Sequence, residues 1–342
     1  MDKTSDRNNR PTIRDVAAEA GVSKSLVSLA FQDSSRVSSE RLDRILAAAD
    51  RLGYRPNLLA RTLATEGSPF VGILVVDMAN PVLTEIAEAA RAELHRHGRY
   101  GLVASATDVG SAYRGERYGE INEQVLDMFR DLRPRGLVIV GTSVEDARLP
   151  VGMPVVFASA AAEPGSDHPS IRADDEAGIR LVMDHLVEQG HRDIGFVGGE
   201  GGGVSRGRHA AYLRFVREWG LPERAMRAAF SEEEGFEAAT VMLTSDSRPT
   251  AIVAVSDLVA LGVQSAADSM SLRVPEDLAV TGFDNTSIAA MSRSSLTSVD
   301  PRNRDTGQLA ADTIAESIAQ TGRSSENVTL VPKLVVRRST AG

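Results

Sequence analysis

The sequence contains no cysteine. This absence excludes a disulfide framework, a thiolate metal site and a cysteine nucleophile. No apolar run approaches the length of about eighteen residues that a membrane-spanning helix needs. The N-terminal residues are mostly polar and do not resemble a secretion signal. We therefore expect a protein that has no membrane association and acts in the cytoplasm.

The sequence also lacks an excess of basic residues, because it has 38 lysines and arginines but 47 aspartates and glutamates, which gives a net charge of −9. This charge is unevenly distributed. Residues 1–66 contain 11 basic and 9 acidic residues, whereas the remainder contains 27 and 38. A DNA-binding protein needs a local basic surface and not a basic whole. The distribution therefore permits an N-terminal segment that binds nucleic acid.

The N-terminal segment has the pattern of two short helices joined by a turn. Thr12 and Asp15 have capping-box spacing at the start of a first helix, and Gly21 supplies the turn that ends it. Ser23 is the expected N-cap of a second helix that ends near Gln32. Two short helices joined at a glycine form a helix-turn-helix, whose second helix is sized for the major groove of DNA. An ordinary helical hairpin would show the same pattern.

A third helix and a separate short segment follow. The third helix is predicted to begin near Ser38 and to end at Gly53. Pro56 prevents its continuation, and Asn57 can cap a further short helix that ends near Ala64. Such a short helix is marginal alone and forms only against another surface.

The order and spacing of these segments resemble the DNA-binding headpiece of the LacI/GalR family of bacterial transcriptional regulators. The resemblance implies a headpiece at residues 1–56, followed by a hinge helix and linker at residues 57–69. It also implies that Leu63 inserts into the minor groove and kinks the duplex, whereas the alternative is a surface leucine beside a linker. The matching segments are Thr12–Ala17, Ala20–Ser23, Val27–Ser28, Arg36–Ser38 and Gly53–Asn57.

The second helix departs from the family pattern where bases would be read. Leu26 stands where many members have threonine, and Leu29 stands where they have an arginine that can contact guanine. Gln32 replaces a usual asparagine. We therefore expect readout to concentrate on Lys24 and Ser25, with Lys24 contacting either a base or a phosphate. The expected DNA-binding residues are Thr12, Ser23, Lys24, Ser25, Ser28, Leu29, Asn57 and Leu63.

From Phe70 onward, short apolar runs alternate with helical patterns. Continuous apolar strands separated by amphipathic helices predict parallel sheets that are covered on both faces. The chain of 342 residues also exceeds one ordinary core, and it has more predicted strands than one sheet needs. These observations indicate two lobes.

The predicted fold is a small all-α helix-turn-helix domain followed by a bilobed α/β core with two doubly wound parallel sheets. The family resemblance implies that this core is like the periplasmic binding proteins, in which two lobes close around a small molecule. The predicted core spans residues 70–342. Its first lobe is expected at about 70–170 and 297–325, and its second lobe at about 171–296 and 326–342.

Ligands of such folds bind in the cleft beyond the carboxyl ends of the strands. The segments around Asp77, Arg208, Asp257 and Asp284 resemble family motifs for the effector. Arg208 and Asp284 together suit a ligand with hydroxyl groups. Each candidate has the alternative role of a strand-end ion pair or a helix cap. The expected effector-binding residues are Asp77, Asn80, Arg208, Ser256, Asp257 and Asp284.

The resemblance implies a sugar or a related metabolite as the effector, but the cleft departs from the sugar-binding pattern. Val82 and Leu83 stand where such members carry an aromatic pair that stacks on the sugar. Ser159 and Ala160 replace a frequent Asp-Arg pair. A smaller or less sugar-like effector fits these departures, and so does a protein that scarcely responds to a small molecule.

No motif for a cofactor, a metal or catalysis is complete. The glycine-rich run from Gly198 to Gly203 fits neither nucleotide-binding loop pattern and is expected to be a flexible loop over the cleft. His95 and His97 flank Arg96 at a predicted helix end, where they suit the helix dipole better than a metal site. We therefore expect no cofactor, no metal and no enzyme activity.

The favoured hypothesis is a homodimeric repressor that binds double-stranded operator DNA and responds to a small-molecule effector. The effector acts either as an inducer or as a corepressor. Two rivals share the predicted core: an α/β enzyme and a solute-binding protein, each with an appended helical domain. Both leave the headpiece motifs without a role.

Overall fold

The computed structural model describes residues 11–32, 34–55, 69–106, 121–141, 148–161, 166–319 and 326–341. The chain divides into two compact units, Met1–Pro69 and Phe70–Gly342. The described parts of these units are called the headpiece and the core. The predicted hinge residues, including Asn57 and Leu63, lie outside the described residues.

The headpiece is helical and has a small core of its own. Val16, Val27 and Ile45, one from each main helix, are fully buried in a shared apolar cluster. Gly21 adopts a left-handed φ of +64°, which allows the tight turn between the first two helices. The helices are α1 (Ile13–Ala20), α2 (Lys24–Gln32) and α3 (Ser39–Leu52), with a 3₁₀ turn at Ser34–Arg36.

The start of α1 confirms the predicted interaction between Thr12 and Asp15. The backbone N–H and the hydroxyl of Thr12 donate to Oδ2 of Asp15 at 2.7 and 2.8 Å. These hydrogen bonds stabilise the charged carboxylate and lower the pKa of Asp15. The capping interaction fixes the N-terminal end of the helix-turn-helix.

In its described residues, the core contains two six-stranded sheets, which confirms the predicted bilobed α/β fold. The first sheet, in spatial order, comprises β11 (Val328–Leu330), β5 (Ser170–Ala173), β4 (Val155–Ala158), β3 (Leu137–Val140), β1 (Phe70–Val75) and β2 (Tyr100–Ser105). The second comprises β12 (Lys333–Val335), β10 (Thr297–Asp300), β9 (Ala279–Phe283), β8 (Ala251–Ala254), β6 (Ile194–Val197) and β7 (Ala225–Met226).

Helices cover both sheets, whose described strands pair in parallel except for β12, which runs antiparallel to β10. Fully buried aliphatic and aromatic side chains fill the space between the sheets and the helices. The core helices are α4 (Pro81–Arg96), α5 (Glu123–Leu132), α6 (Asp175–Glu188), α7 (Gly203–Trp219), α8 (Glu232–Leu243), α9 (Asp257–Ser269) and α10 (Asn303–Ala319).

The pairing of three strands corrects the predicted lobe boundaries. Strand β5 pairs with β4, so the first lobe continues to Ala173 and not to about 170. Strand β10, predicted in the first lobe, pairs with β9 and belongs to the second. Residues 326–342, predicted in the second lobe, contribute a strand to each lobe, because β11 pairs with β5 and β12 pairs with β10. The chain therefore crosses between the lobes after β5, β10 and β11.

Among the described residues, no helix combines the length and the apolarity that a bilayer span requires.

Candidate functional site

The exposed surface of α2 is the candidate DNA-reading face. Lys24 and Ser25 are exposed, while Ser28 and Leu29 are half-buried. The Ser23 hydroxyl accepts a hydrogen bond from the Leu26 N–H at 3.2 Å and so caps the helix, as predicted. Exposed polar groups at the N-terminal end of a second helix are suited to contact base edges.

Leu26 and Leu29, the two departures from the family pattern, pack against the headpiece core. Both side chains are only half exposed, so part of each surface supports the fold and the rest remains free. Thr12 is exposed at the start of α1, where its hydroxyl donates to Asp15. Among the predicted polar contacts on α2, Lys24 and Ser25 are therefore the exposed ones.

A cavity of about 830 Å³ lies within the core and is lined by residues from both lobes. Such a volume is typical of sites that bind small molecules. From the first lobe the lining includes Asn80, Val82, Leu83, Gly141, Ser159, Ala160, Ala161, Arg172, Ala173 and Asp174. From the second lobe and α10 it includes Asp175, Glu176, Gly201, Gly202, Gly203, Val204, Arg206, Gly207, Arg208, Arg214, Phe230, Asp284, Asn303 and Thr306.

Arg208 is the most buried arginine in this cleft, with 5% of its surface exposed. Its Nε donates to Asp175 at 2.8 Å, and its Nη1 donates to the Val255 carbonyl at 2.7 Å and to Asp284 at 3.3 Å. The guanidinium also lies over the Phe283 ring, 3.5 Å from its centroid. Arg208 is therefore held rigidly at the wall of the cavity.

Asp284 lies beside Arg208 and lines the same cavity. Burial raises the pKa of Asp284 to about 8, and the opposing attraction of Arg208 only partly offsets this effect. The carboxyl group therefore takes up a proton at a higher pH than an ordinary aspartate, and its protonated form can donate a hydrogen bond to a ligand. Its backbone has a φ of +111° and is fixed by hydrogen bonds to Val299 and Asn303. The structure thus brings the predicted pair Arg208 and Asp284 together.

Asp257 and Ser256 do not join this pair, because neither is among the residues that line the cleft. Oδ2 of Asp257 accepts hydrogen bonds from the Thr286 N–H and hydroxyl, and Oδ1 accepts one from the Ser298 hydroxyl at 2.6 Å. Ser256 caps α9 through the Val259 N–H. Both residues have the structural roles that were the alternatives to effector binding.

Replacing Asp257 by asparagine is expected to destabilise the second lobe by about 2 kcal/mol at neutral pH, because an amide group would face the donors on Thr286 and Ser298. Denaturant unfolding of the full chain measures this loss. Binding of an effector in the cleft is expected to persist in the variant, and its loss would contradict the structural role.

The stability difference between wild type and Asp257→Asn is also expected to depend on pH. Burial raises the pKa of Asp257 to about 6 from its ordinary value of 3.8. Between about pH 4 and 6 the folded chain keeps a proton that the unfolded chain releases, so the contribution of Asp257 to stability falls as the pH rises through this window. The difference in free energy of unfolding between wild type and Asp257→Asn should therefore be smaller at pH 7 than at pH 4.5 by roughly 2 kcal/mol.

Asn80 and Asp77, the two predicted effector-binding residues that precede α4, differ in their positions relative to the cleft. Asn80 lines the cleft and caps α4, accepting a hydrogen bond from the Val82 N–H at 3.0 Å. Asp77 accepts one from the Ala79 N–H at 2.9 Å and is not among the lining residues. Asp77 therefore shapes the turn that precedes α4 and does not face the cavity.

Several lining residues were not predicted from the sequence. Asp175 is the nearer of the two carboxylates that contact Arg208, and Asn303 donates a hydrogen bond to the backbone carbonyl of Asp284. Arg172 and Arg206 bring two further cations to the cavity. The carboxylate pair at residues 174 and 175 directly after a strand was a usable signal for Asp175, whereas Arg172 and Arg206 match none of the motifs.

A cluster outside the cleft joins α4 to α10. Nε2 of His97 lies 2.6 Å from Asp312 and 3.9 Å from Glu93. The three residues each bring a potential metal ligand to within 4.8 Å of the others, a geometry that the sequence did not predict. Glu93 also pairs with Arg96 at 2.7 Å, and His97 follows the end of α4 as the helix dipole favours.

A helix-turn-helix headpiece followed by a bilobed core with a cleft of ligand size defines a DNA-binding transcriptional regulator. Two sequence families match the chain: "Bacterial regulatory proteins, lacI family" at residues 12–57, and "Periplasmic binding protein-like domain" at residues 183–340. The chain belongs to the LacI family of bacterial regulatory proteins, which confirms the resemblance seen in the sequence. It is accordingly a regulator and not an enzyme.

Individual relatives match along almost the whole chain. The HTH-type transcriptional repressor PurR of Erwinia tasmaniensis is 30% identical over 96% of this chain and 97% of its own length. The PurR of Serratia proteamaculans is also 30% identical, with the same coverage. The crystal structure of the lac repressor dimer bound to operator and the anti-inducer ONPF is 27% identical, with a TM-score of 0.82 over 97% of this chain and 100% of that one.

Proposed function

We propose that the protein is a homodimeric transcriptional repressor of the cytoplasm whose affinity for operator DNA is controlled by a small molecule bound in the cleft. The observation that carries the proposal is the buried Arg208, held by Asp175 and Asp284 at the wall of a cavity that both lobes line. The relatives that are repressors, and the lac repressor dimer bound to operator, support the same function.

The cavity suits such control because both lobes contribute to it. A ligand that contacts Asn80 and Arg172 on one side and Arg208 and Asp284 on the other would favour the closed arrangement of the lobes. An effector changes operator affinity only as far as it binds the two arrangements unequally. A cleft lined by both lobes provides this difference if the ligand contacts both lobes at once in one arrangement only.

The direct test of DNA binding is selection of fragments from the organism's own genome by the purified full-length protein. Enrichment of near-palindromic sites is expected, because two headpieces of a symmetric dimer read two half-sites. Metabolites are then screened for thermal stabilisation of the protein and for an effect on binding to the selected site. Failure to enrich any sequence would rule out the proposed function.

Replacing Leu63 by alanine is expected to weaken operator binding at least tenfold, since the proposed insertion into the minor groove would be lost. This prediction comes from the sequence pattern, because Leu63 lies outside the described residues. Fluorescence anisotropy with labelled operator measures the effect, and calorimetry with an effector provides the control. Unchanged operator affinity would count against the proposed role of Leu63.

A further inference from the structure

Some of the arginines that line the cleft form ion pairs with carboxylates, and others do not. Arg214 pairs with Glu176 at 2.7 Å, and Arg208 pairs with Asp175 at 2.8 Å. Asp174 caps α6 by accepting the Ala177 N–H at 2.9 Å. Within the described part of the chain, Arg172 and Arg206 have no carboxylate partner. Two arginines therefore remain available in the cavity.

These two arginines come from opposite lobes. Arg172 is half-buried near the carboxyl end of β5 in the first lobe, where Nη1 has only a long contact of 3.4 Å with the neighbouring Ala173 carbonyl. Arg206 is exposed in the first turns of α7 in the second lobe. A ligand that contacts both guanidinium groups would therefore link the two lobes.

The glycine-rich run places backbone amides next to Arg206. Nη2 of Arg206 lies 4.0 Å from the position that a Cβ atom at Gly203 would occupy, so the guanidinium stands beside the start of α7. Gly202 precedes the helix with a φ of +122°, and no described side chain caps that helix. The run is thus the N-terminal boundary of a helix at the cavity wall, where a guanidinium and free amides converge.

The cavity has few features of a site for a neutral sugar. Phe230 is the aromatic side chain among its lining residues. The aliphatic residues Val82 and Leu83, in the first turn of α4, line the cavity where an aromatic pair would stack on a sugar. Each carboxylate that lines the cavity already has a partner, since Asp175 and Asp284 contact Arg208, Glu176 contacts Arg214 and Asp174 caps α6. The charged groups left for a ligand are therefore two guanidinium groups, which favour an anion over a cation.

We infer that the effector carries an oxyanion, a carboxylate or a phosphate, which binds between Arg206 and the first amides of α7 and is contacted by Arg172 from the opposite lobe. This inference rests on the proposed function and adds the chemical class of the effector. Guanidinium groups form charge-assisted, paired hydrogen bonds with both kinds of oxyanion. Lobe closure would bring the charge of Arg172 towards an anion already held by the second lobe.

Matched probes test the inference with the full-length protein. Thermal shift and titration calorimetry compare inorganic phosphate, glucose 6-phosphate with glucose, and succinate with succinamide. At least one anion is expected to bind, and its neutral counterpart is expected to bind at least tenfold more weakly. The phosphate and carboxylate pairs show which oxyanion is preferred. Equal binding of charged and neutral partners, or no binding of any anion at millimolar concentration, would overturn the inference.

Three substitutions of the same kind locate the site. Arg206→Gln and Arg172→Gln are each expected to weaken binding of the anion at least tenfold, because each removes a charge that no described carboxylate neutralises. Arg214→Gln is the matched control in the same cavity, since Arg214 already pairs with Glu176, and less than a twofold change is expected. Unchanged affinity in the first two variants would place the anion elsewhere and refute the assignment.

Operator binding separates this inference from the proposed function. A neutral metabolite that occupies the cleft and alters operator affinity would leave the proposed function intact and overturn the anionic class. An anion that binds through Arg206 without altering operator affinity would support the site and contradict the proposed control of DNA binding.

Discussion

Replacing Arg208 by leucine is expected to abolish the response of operator binding to the effector and to lower the free energy of unfolding of the core by about 3 kcal/mol. The loss follows from burial, because Asp175 and the Val255 carbonyl would each lose the donor that now contacts them at 2.8 and 2.7 Å. Removing one partner of a buried ion pair leaves the other group desolvated and unpaired. The loss of stability should lie near the lower end of the range for a broken buried ion pair, since the Asp284 carboxylate can become neutral by binding a proton.

Arg214→Leu is the matched control for this experiment. Arg214 lines the same cavity, but its ion pair with Glu176 is exposed, so a stability change below about 1 kcal/mol is expected. Chemical denaturation gives the stabilities, and operator titrations with and without effector give the response. An Arg208→Leu protein that still responds to the effector would show that Arg208 takes no part in ligand binding.

Replacing Lys24 by glutamate is expected to weaken operator binding by more than tenfold, without unfolding the headpiece. Lys24 is exposed in the first turn of α2, and a carboxylate at that position would repel the phosphate backbone or lose a contact to a base. Fluorescence anisotropy at several salt concentrations measures the affinity and its salt dependence. A large loss at one operator position indicates a base contact, and a uniform loss indicates a phosphate contact.

Lys333→Glu supplies the same change of charge at an exposed position on β12 of the core. Operator affinity is expected to stay within about twofold of wild type in this control, since long-range effects between exposed charges are screened by salt. Equal loss of affinity in both variants would indicate that net charge, and not the face of α2, determines binding.

Local signals in the sequence predicted much of the fold. Thr12 and Asp15 identified the start of α1, and Ser23 identified the start of α2, because helix caps depend on neighbours only a few residues away. Apolar runs likewise located the central strands. Helix α7 begins at Gly203, the last residue of the run that was expected to be a loop, since glycines do not signal a helix even where the chain forms one.

Other features depend on distant residues and were not predictable. Strand β10 joins the second sheet by pairing with the edge of β9, and the sequence of residues 297–300 does not indicate which strand it pairs with. Asp257 was predicted in the effector site from its motif, but Thr286 and Ser298 direct its carboxylate into the interior. The cleft therefore lacks two predicted aspartates, Asp77 and Asp257, and gains two arginines, Arg172 and Arg206, that the motifs did not indicate.

Measurement of operator affinity with and without a ligand bound in the cleft tests the central claim most directly. Once a selected operator and a cleft ligand are in hand, the dissociation constant is determined for wild type and for Arg208→Leu at saturating ligand. We predict that the ligand changes the affinity of wild type at least tenfold, in either direction, and leaves that of the variant unchanged. An identical dissociation constant for wild type with the cleft empty and with it occupied would contradict the account.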